Sequence, residues 1–376
     1  MKIAIDTIPL LSPLTGVGHY AYQISKALRK IDCIHEYIYF YGYYSQQLLP
    51  PGTIQDSFYR LKEVVRKIPV LGTAARNLKD WTNIFSSRIF DLYFEPNFIP
   101  LRIPAQHIVA TVPDFSFALF PEWHTKDKVQ YYKKHFWKKI KEADRVIVIS
   151  DFIRNQAIHQ FGFPEEQLIT IRLGVARDMF RIYPQQDLLP IKEHYRLPEN
   201  FILFVGSIEP RKNLKNLLKA YLELKAPIRK EFKIVLAGCK GWENDEVMNL
   251  LRELKEDVFY TGYIPEDELG KFYNLARLFI YPSFYEGFGL PPLEAMACGC
   301  PVVVSNAASL PEVCGDAAYY VNPQDVRSIA EGMERVLADE GLRKSLVSKG
   351  LERIKQFSWE KSAAEHLRVF EEVFSG

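Results

Sequence analysis

The sequence predicts an α/β chain made of two doubly wound, parallel-sheet domains. Three observations carry this. At 376 residues the chain is longer than one ordinary core organises, so two domains are the default. Short apolar, β-branched and aromatic runs alternate with amphipathic stretches, the pattern of parallel strands joined by helical crossovers. The alternation occurs twice, separated by the polar, Pro-containing stretch Arg181-Ile182-Tyr183-Pro184-Gln185-Gln186-Asp187.

Taken in order, strands are expected in the first half at 2–5, 37–41, 92–95, 107–111 and 145–149. In the second half they fall at 201–205, 233–237, 258–261, 278–281 and 301–304. Helical spacing of apolar residues covers 20–30, 213–224, 266–275 and 293–297, and an amphipathic helix spans 359–374. The join lies near 174–200, and a new strand opens at Phe201 after Leu197-Pro198-Glu199-Asn200. We divide the chain into 1–180, 181–355 and a closing helical segment, 356–376. There is no repeat of 20–50 residues and no low-complexity segment.

Composition narrows the classes. The chain is 48% hydrophobic and 25% charged, as soluble globular proteins are. No apolar run reaches the roughly 18 residues that span a bilayer. Met1-Lys2-Ile3-Ala4-Ile5-Asp6 turns polar too soon for a signal peptide and reads as a first strand. The five cysteines (Cys33, Cys239, Cys298, Cys300, Cys314) lack zinc-site spacing and read as buried thiols of a reducing cytoplasm. Charge is uneven: residues 1–180 hold 23 Lys and Arg against 17 Asp and Glu, and 181–376 hold 25 against 29. A basic first half favours an anionic partner there, a membrane surface or a charged acceptor.

Ligands of doubly wound sheets bind at the carboxyl ends of strands, so the loops after strands are where chemistry is sought. Glu286-Gly287-Phe288-Gly289-Leu290-Pro291-Pro292-Leu293-Glu294 follows the strand at 278–281 and leads into a helix. Its backbone N–H groups and helix start suit an anion, and its two carboxylates suit hydroxyls on either side. A phosphate flanked by hydroxyl-bearing groups describes a nucleotide sugar. Val205-Gly206-Ser207-Ile208-Glu209-Pro210-Arg211-Lys212-Asn213 also follows a strand, and two cations there suit a diphosphate. Alone it is equally a solvated loop; with the Glu286–Glu294 stretch in the same domain the diphosphate reading is favoured.

Other loops are less specific. Gly16-Val17-Gly18 before a helix lets backbone approach a ligand, but Ala21 stands where a dinucleotide fingerprint has its third glycine, so a plain tight turn is favoured. His19 reads first as a helix-start residue. Asp114, after 107–111, is placed for acceptor hydroxyls or for capping the next turn. Asp151 in Ile149-Ser150-Asp151 reads as an N-cap. Thr261-Gly262-Tyr263-Ile264-Pro265 could frame a nucleobase or be only a turn. The basic, aromatic segment 126–145 is either a helix lying on an anionic membrane or a surface helix with Phe136 and Trp137 turned inward. There is no P-loop, no His-Glu-x-x-His and no nucleic-acid signature.

Together these motifs resemble glycosyltransferase family 4. The resemblance rests on Tyr281-Pro282-Ser283-Phe284-Tyr285, the two glutamates with seven residues between them, and Ala295-Met296-Ala297-Cys298-Gly299-Cys300-Pro301-Val302-Val303. Glu209-Pro210-Arg211-Lys212-Asn213, Leu310-Pro311-Glu312-Val313 and Phe357-Ser358-Trp359-Glu360 support it. It is strong over about 200–365 and weaker in the first half, where Gly16-Val17-Gly18 and Ala143–Ser150 match.

The resemblance implies a retaining, metal-independent enzyme of the GT-B fold, two Rossmann-like domains facing a central cleft. It implies an acceptor domain first, a donor domain second, and a last helix that crosses back to the first. Glu294 would bind ribose hydroxyls, and Glu286 would sit by the donor sugar. Backbone of Phe288, Gly289 and Leu290 would approach sugar and diphosphate, with Ser207 in the same donor set. Arg211 and Lys212 would neutralise the leaving diphosphate. Tyr263 and Ile264 would meet the base, and Gly16 and Gly18 would line the cleft from the first domain. Two positions depart from the family. Ser207 stands where many members have Arg, and Pro113-Asp114 where many have His-Asp, so acceptor-side work falls to Asp114 or His19, or no such residue is needed.

The Glu-Pro-Arg-Lys-Asn form, with Gly238-Cys239-Lys240-Gly241-Trp242, looks like mannosyltransferases of surface polysaccharide assembly. GDP-mannose is the expected donor and a saccharide or lipid-linked saccharide the expected acceptor. The enzyme is expected in the cytoplasm, peripheral at the inner face of the cell membrane, with no other cofactor and no nucleic acid partner. The alternatives are UDP-glucose or UDP-N-acetylglucosamine as donor, a sugar-nucleotide epimerase of the same fold, or a non-catalytic nucleotide-sugar binding protein.

Overall fold

A computed structural model describes residues 1–11, 16–50, 89–238 and 245–376. They form two units, Met1–Gly174 with Trp359–Gly376, and Val175–Ser358. In chain order the strands of unit 1 are β1 (Lys2–Asp6), β2 (Glu36–Phe40), β3 (Tyr44–Ser45), β4 (Phe90–Glu95), β5 (Ala105–Val112), β6 (Arg145–Val148) and β7 (Leu168–Thr170). Its helices are α1 (Gly16–Ile31), α2 (Ser116–Leu119), α3 (Lys126–Ile140) and α4 (Asp151–Phe161). The sheet order is β3-β2-β1-β4-β5-β6-β7, parallel except for the β2–β3 hairpin. Ala4, Ile38, Phe90 and Tyr93 are buried together in one of its cores.

Unit 2 continues with α5 (Gln185–His194), β8 (Phe201–Val205), α6 (Leu214–Glu223), α7 (Ala226–Glu231), β9 (Lys233–Ala237), α8 (Asp245–Glu253) and β10 (Val258–Gly262). Next come α9 (Glu266–Leu275), β11 (Leu278–Tyr281), α10 (Leu290–Ala297), β12 (Val302–Ser305), α11 (Leu310–Cys314) and β13 (Tyr319–Val321). The unit closes with α12 (Val326–Ala338) and α13 (Glu340–Arg353). The last helix, α14 (Trp359–Ser375), belongs to unit 1. The second sheet runs β10-β9-β8-β11-β12-β13, every pair parallel.

Parallel strands covered on both faces must be apolar along their whole length, and β8 and β11 are (Phe-Ile-Leu-Phe-Val and Leu-Phe-Ile-Tyr). They pair with Leu278 beside Ile202 and Phe279 beside Leu203. From β8 the chain winds outward to β9 and β10, then returns to β11 on the other side. The β8–β11 gap is therefore the topological switch point, where open α/β sheets leave a crevice at the strands' carboxyl ends.

Several local expectations change. Gly16-Val17-Gly18 lies in the first turn of α1 and not in a turn before it, and neither glycine has a positive φ. Ser150, not Asp151, caps α4: its hydroxyl accepts from Ile153 N at 3.2 Å, while Asp151 pairs with Arg172 at 2.6 Å. Cys33 is exposed, whereas Cys298, Cys300 and Cys314 are buried; Cys239 to Trp242 lie outside the described residues. On α3, Phe136 is fully buried and the half-buried Trp137 packs on Phe117, Phe161 and Phe163, so these two aromatics turn inward.

Candidate functional site: a cation pair facing the Glu286 loop

The site grows from the two loops that flank the switch point of unit 2. After β8 the chain passes Gly206 and Ser207 into a short turn, Pro210–Lys212, and then Asn213. Asn213 has φ 59°, the left-handed region that non-glycine residues enter at a cost. Its Nδ2 holds it there, donating to the carbonyls of Pro282 at 2.9 Å and Pro323 at 2.7 Å. Phe284 N donates to Arg211 O at 2.9 Å, so the two loops are tied through backbone as well.

That tie aims both cations at one carboxylate. Arg211 Nη1 donates to Glu286 Oε2 at 2.5 Å, and Lys212 Nζ donates to Glu286 Oε1 at 2.9 Å. Glu286 is 6% exposed and Lys212 8%, so screening by water is weak. Burial works against ionising Glu286, but Arg211 and Lys212 outweigh it and bring its pKa down to about 2. Burial lowers the pKa of Lys212, and Glu286 works in the opposite direction. Tyr281, fully buried on β11, accepts a hydrogen bond from Lys212 Nζ and sets its ring 4.7 Å from that ammonium. Glu209 stands 3.6 Å from Arg211 Nη2 and accepts from the Ser207 hydroxyl at 2.6 Å.

The loop from Glu286 to α10 is held from beneath. Ser309 Oγ lies 2.9 Å from Glu286 O and 2.7 Å from Phe288 O, and Ser305 Oγ donates to Ser283 O at 2.6 Å. Phe288 is buried against Phe357. Gly289 has φ 120°, and a Cβ there would meet Leu310 Cδ2 at 2.7 Å, so both conformation and space call for glycine. Leu290 begins α10 with Pro291 and Pro292 in its first turn, where proline loses no helical hydrogen bond. One turn on, Glu294 is half-buried and accepts from Tyr273 OH at 3.0 Å.

Tyr263, just past β10, is 52% exposed, and Ile264 beside it is buried. In unit 1 Asp114 is half-buried and accepts from Ser116 N at 2.8 Å, the turn-capping contact expected of it. Gly16 is exposed, Gly18 buried and His19 half-buried. The structure thus brings Arg211, Lys212 and Glu286 into contact, with Ser207 joined through Glu209. Sequence reasoning gave no role to Tyr281, Tyr273, Glu209 or Ser309. Ser309 does precede the Leu310-Pro311-Glu312-Val313 motif, the one linear signal that pointed near it.

A buried lysine and a half-buried arginine on one carboxylate, beside glycine-permitted backbone and a helix start, can hold a polyanion and polar groups next to it. Comparison with known proteins identifies the family. Residues 187–353, all within unit 2, match the family model for glycosyl transferases group 1. The O-antigen chain mannosyltransferase B of Escherichia coli is 36% identical over 98% of this chain and 99% of its own length. The serotype-specific mannosyltransferase WbdA of Escherichia coli is 36% identical over 63% of this chain, a match covering 30% of that longer protein. HepE of Anabaena, solved in complex with UDP-glucose, shares the fold at a TM-score of 0.71 and 18% identity, covering 98% of this chain and 100% of its own. The chain therefore belongs to the group 1 glycosyl transferases and has the GT-B architecture of two Rossmann-like units.

Proposed function

We propose that this glycosyltransferase takes mannose from GDP-mannose and adds it, with retention, to a saccharide or lipid-linked saccharide during surface polysaccharide synthesis. The observation that carries the reading is the convergence of Arg211 and Lys212 at the switch point. A sugar leaving group there is a diphosphate, and the C1–oxygen bond breaks with its electron pair moving onto the phosphate oxygen. Cations at the site stabilise that charge where it develops, the work a metal ion would otherwise do. The sugar carbon passes through an oxocarbenium-like state and bonds to the acceptor hydroxyl oxygen, whose proton goes to the departing phosphate oxygen. Glu286 is held ionised by its two cations, which suits hydrogen bonds from sugar hydroxyls and not proton donation. Glu294 takes the ribose hydroxyls, Tyr263 and Ile264 the base, and backbone of Phe288 to Leu290 the sugar and diphosphate. The roles of Asp114, Gly16 and Gly18 in unit 1 are part of the same proposal. Mannose is favoured by the two mannosyltransferase relatives.

The enzyme is further proposed to work in the cytoplasm, at the inner face of the cell membrane. Lys126, Lys128, Lys133, Lys134, Lys138 and Lys141 are exposed along and just after α3 and suit an anionic surface. Among the described residues no helix is long and apolar enough to cross a membrane. The test is a thermal-shift panel of GDP, UDP and ADP with their mannose and glucose forms. A ligand at 100 times its dissociation constant adds about 2.7 kcal/mol of apparent stability. GDP and GDP-mannose should raise the melting temperature. A response to UDP with none to GDP would overturn the mannose donor.

A further inference from the structure

We propose that Glu286 is a placeholder for the donor's diphosphate: in the donor-free protein it neutralises the cations that the diphosphate needs, and Arg211 exchanges Glu286 for phosphate when donor binds. This rests on the reading of Arg211 and Lys212 as the diphosphate clamp. The first argument is charge. Arg211 and Lys212 face Glu286 at 2.5 and 2.9 Å, and Glu209 lies 3.6 Å from Arg211. Among the described residues, two cations against two carboxylates leave no net positive charge in this cluster for an arriving polyanion. A diphosphate gains from this set only when a carboxylate gives up a cation.

The second argument is which cation moves. Lys212 is buried and donates to two buried residues, Glu286 and the Tyr281 hydroxyl, with the Tyr281 ring beside it. The Arg211 side chain is 19% exposed against 10% for Lys212, and the carbonyl of Tyr285 at 3.3 Å is a long contact. Arg211 is thus the cation within reach of solvent and of a ligand. Its swing would strip Glu286 of one counterion inside a buried site. An unpaired buried carboxylate is costly, and a sugar hydroxyl relieves that cost by donating to it.

A complete donor supplies both the phosphate and the hydroxyl. After transfer only the nucleoside diphosphate is left, so Glu286 competes again for Arg211 and drives the product out. The site would therefore favour donor over product without any contact that reads the sugar's identity.

The test measures GDP and UDP affinity by calorimetry in the native chain and in Glu286→Gln, Glu286→Asp and Arg211→Ala. A neutral amide does not compete for Arg211, so Glu286→Gln should bind the nucleoside diphosphate roughly tenfold or more tighter. Glu286→Asp keeps the charge but is one methylene too short to span both cations, and should tighten binding by less; it carries the test if the glutamine variant does not fold. Arg211→Ala should weaken binding. If both Glu286 variants bind no tighter while Arg211→Ala binds weaker, the exchange is wrong and the clamp stands. If Arg211→Ala leaves affinity unchanged, the clamp reading falls and the exchange falls with it.

Discussion

Ser309 has one proton to donate and two carbonyl oxygens to satisfy, Glu286 O at 2.9 Å and Phe288 O at 2.7 Å. It is fully buried, so no water replaces it. Ser309→Ala leaves two inner carbonyls without this donor, and an unmade buried hydrogen bond costs about 1–3 kcal/mol. The variant should lose that much stability in urea and raise KM for the donor more than it lowers kcat, because the loop loosens before the clamp does. Unchanged stability with an unchanged KM would show that Ser309 does not hold the loop. The contrast with Glu286 shows what could be read in advance. The spacing of Glu286 and Glu294 around Gly287-Phe288-Gly289 is a linear pattern and was visible as one. Ser309 acts 21 and 23 positions away, and Tyr281 meets a lysine 69 positions away. Serines and tyrosines occur throughout the chain, and only the folded sheet tells which ones face the site.

At the scale of elements, α14 is attached to unit 1 through a buried polar chain. His366 Nδ1 lies 2.7 Å from the carbonyl of Ser362, so Nδ1 carries the proton and Nε2 is the acceptor. Tyr20 OH donates to that Nε2 at 2.7 Å and accepts from Thr111 Oγ1 at 2.8 Å. One helix of the chain's start, one strand and the last helix are joined in this way. Burial brings the His366 pKa down to about 4, with the hydrogen bond to the Ser362 carbonyl acting in the opposite direction. The unfolded chain has the ordinary value near 6.5, so it binds a proton over a range where the fold does not. Stability is therefore full above about pH 6.5 and is lost as pH falls through about 4, by about 3 kcal/mol. His366→Gln should flatten the stability profile between pH 6.5 and 4, measured by urea unfolding of unit 1. An equal slope in both proteins would remove His366 as the cause. The amphipathic period of 359–374 announced the helix, but the partner of His366 stands 346 positions earlier, beyond any local pattern. The short strands β7 and β13 were unread for another reason: three residues each carry too little alternation to separate a strand from a loop.

For the whole molecule, the two-sheet plan was legible because each parallel strand is apolar end to end and each crossover is amphipathic, and that signal repeats. What the pattern does not record is which unit a given helix completes; that is decided by burial. On α14 the buried residues are Trp359, Ser362, Ala363, His366, Val369, Phe370 and Val373, with Phe370 centred 5.2 Å from Phe94 of β4 and Trp359 6.3 Å from Tyr20 of α1. A fully buried large apolar side chain contributes about 1.5–3 kcal/mol. Several of them together rival the roughly 5–15 kcal/mol that holds a typical domain folded. Unit 2, Val175–Ser358, is continuous in sequence and has its own core of Ile202, Phe204, Leu217, Ile234, Ile280 and Met333. Deleting 359–376 should therefore act on the two units differently. Calorimetry of the intact chain should show a transition for each core. In the truncated chain the unit 1 transition should fall sharply or vanish, while the unit 2 transition remains and still moves up with GDP. Two transitions unchanged by the deletion would mean that α14 adds nothing to unit 1. Loss of both would mean that unit 2 does not stand on the core assigned to it.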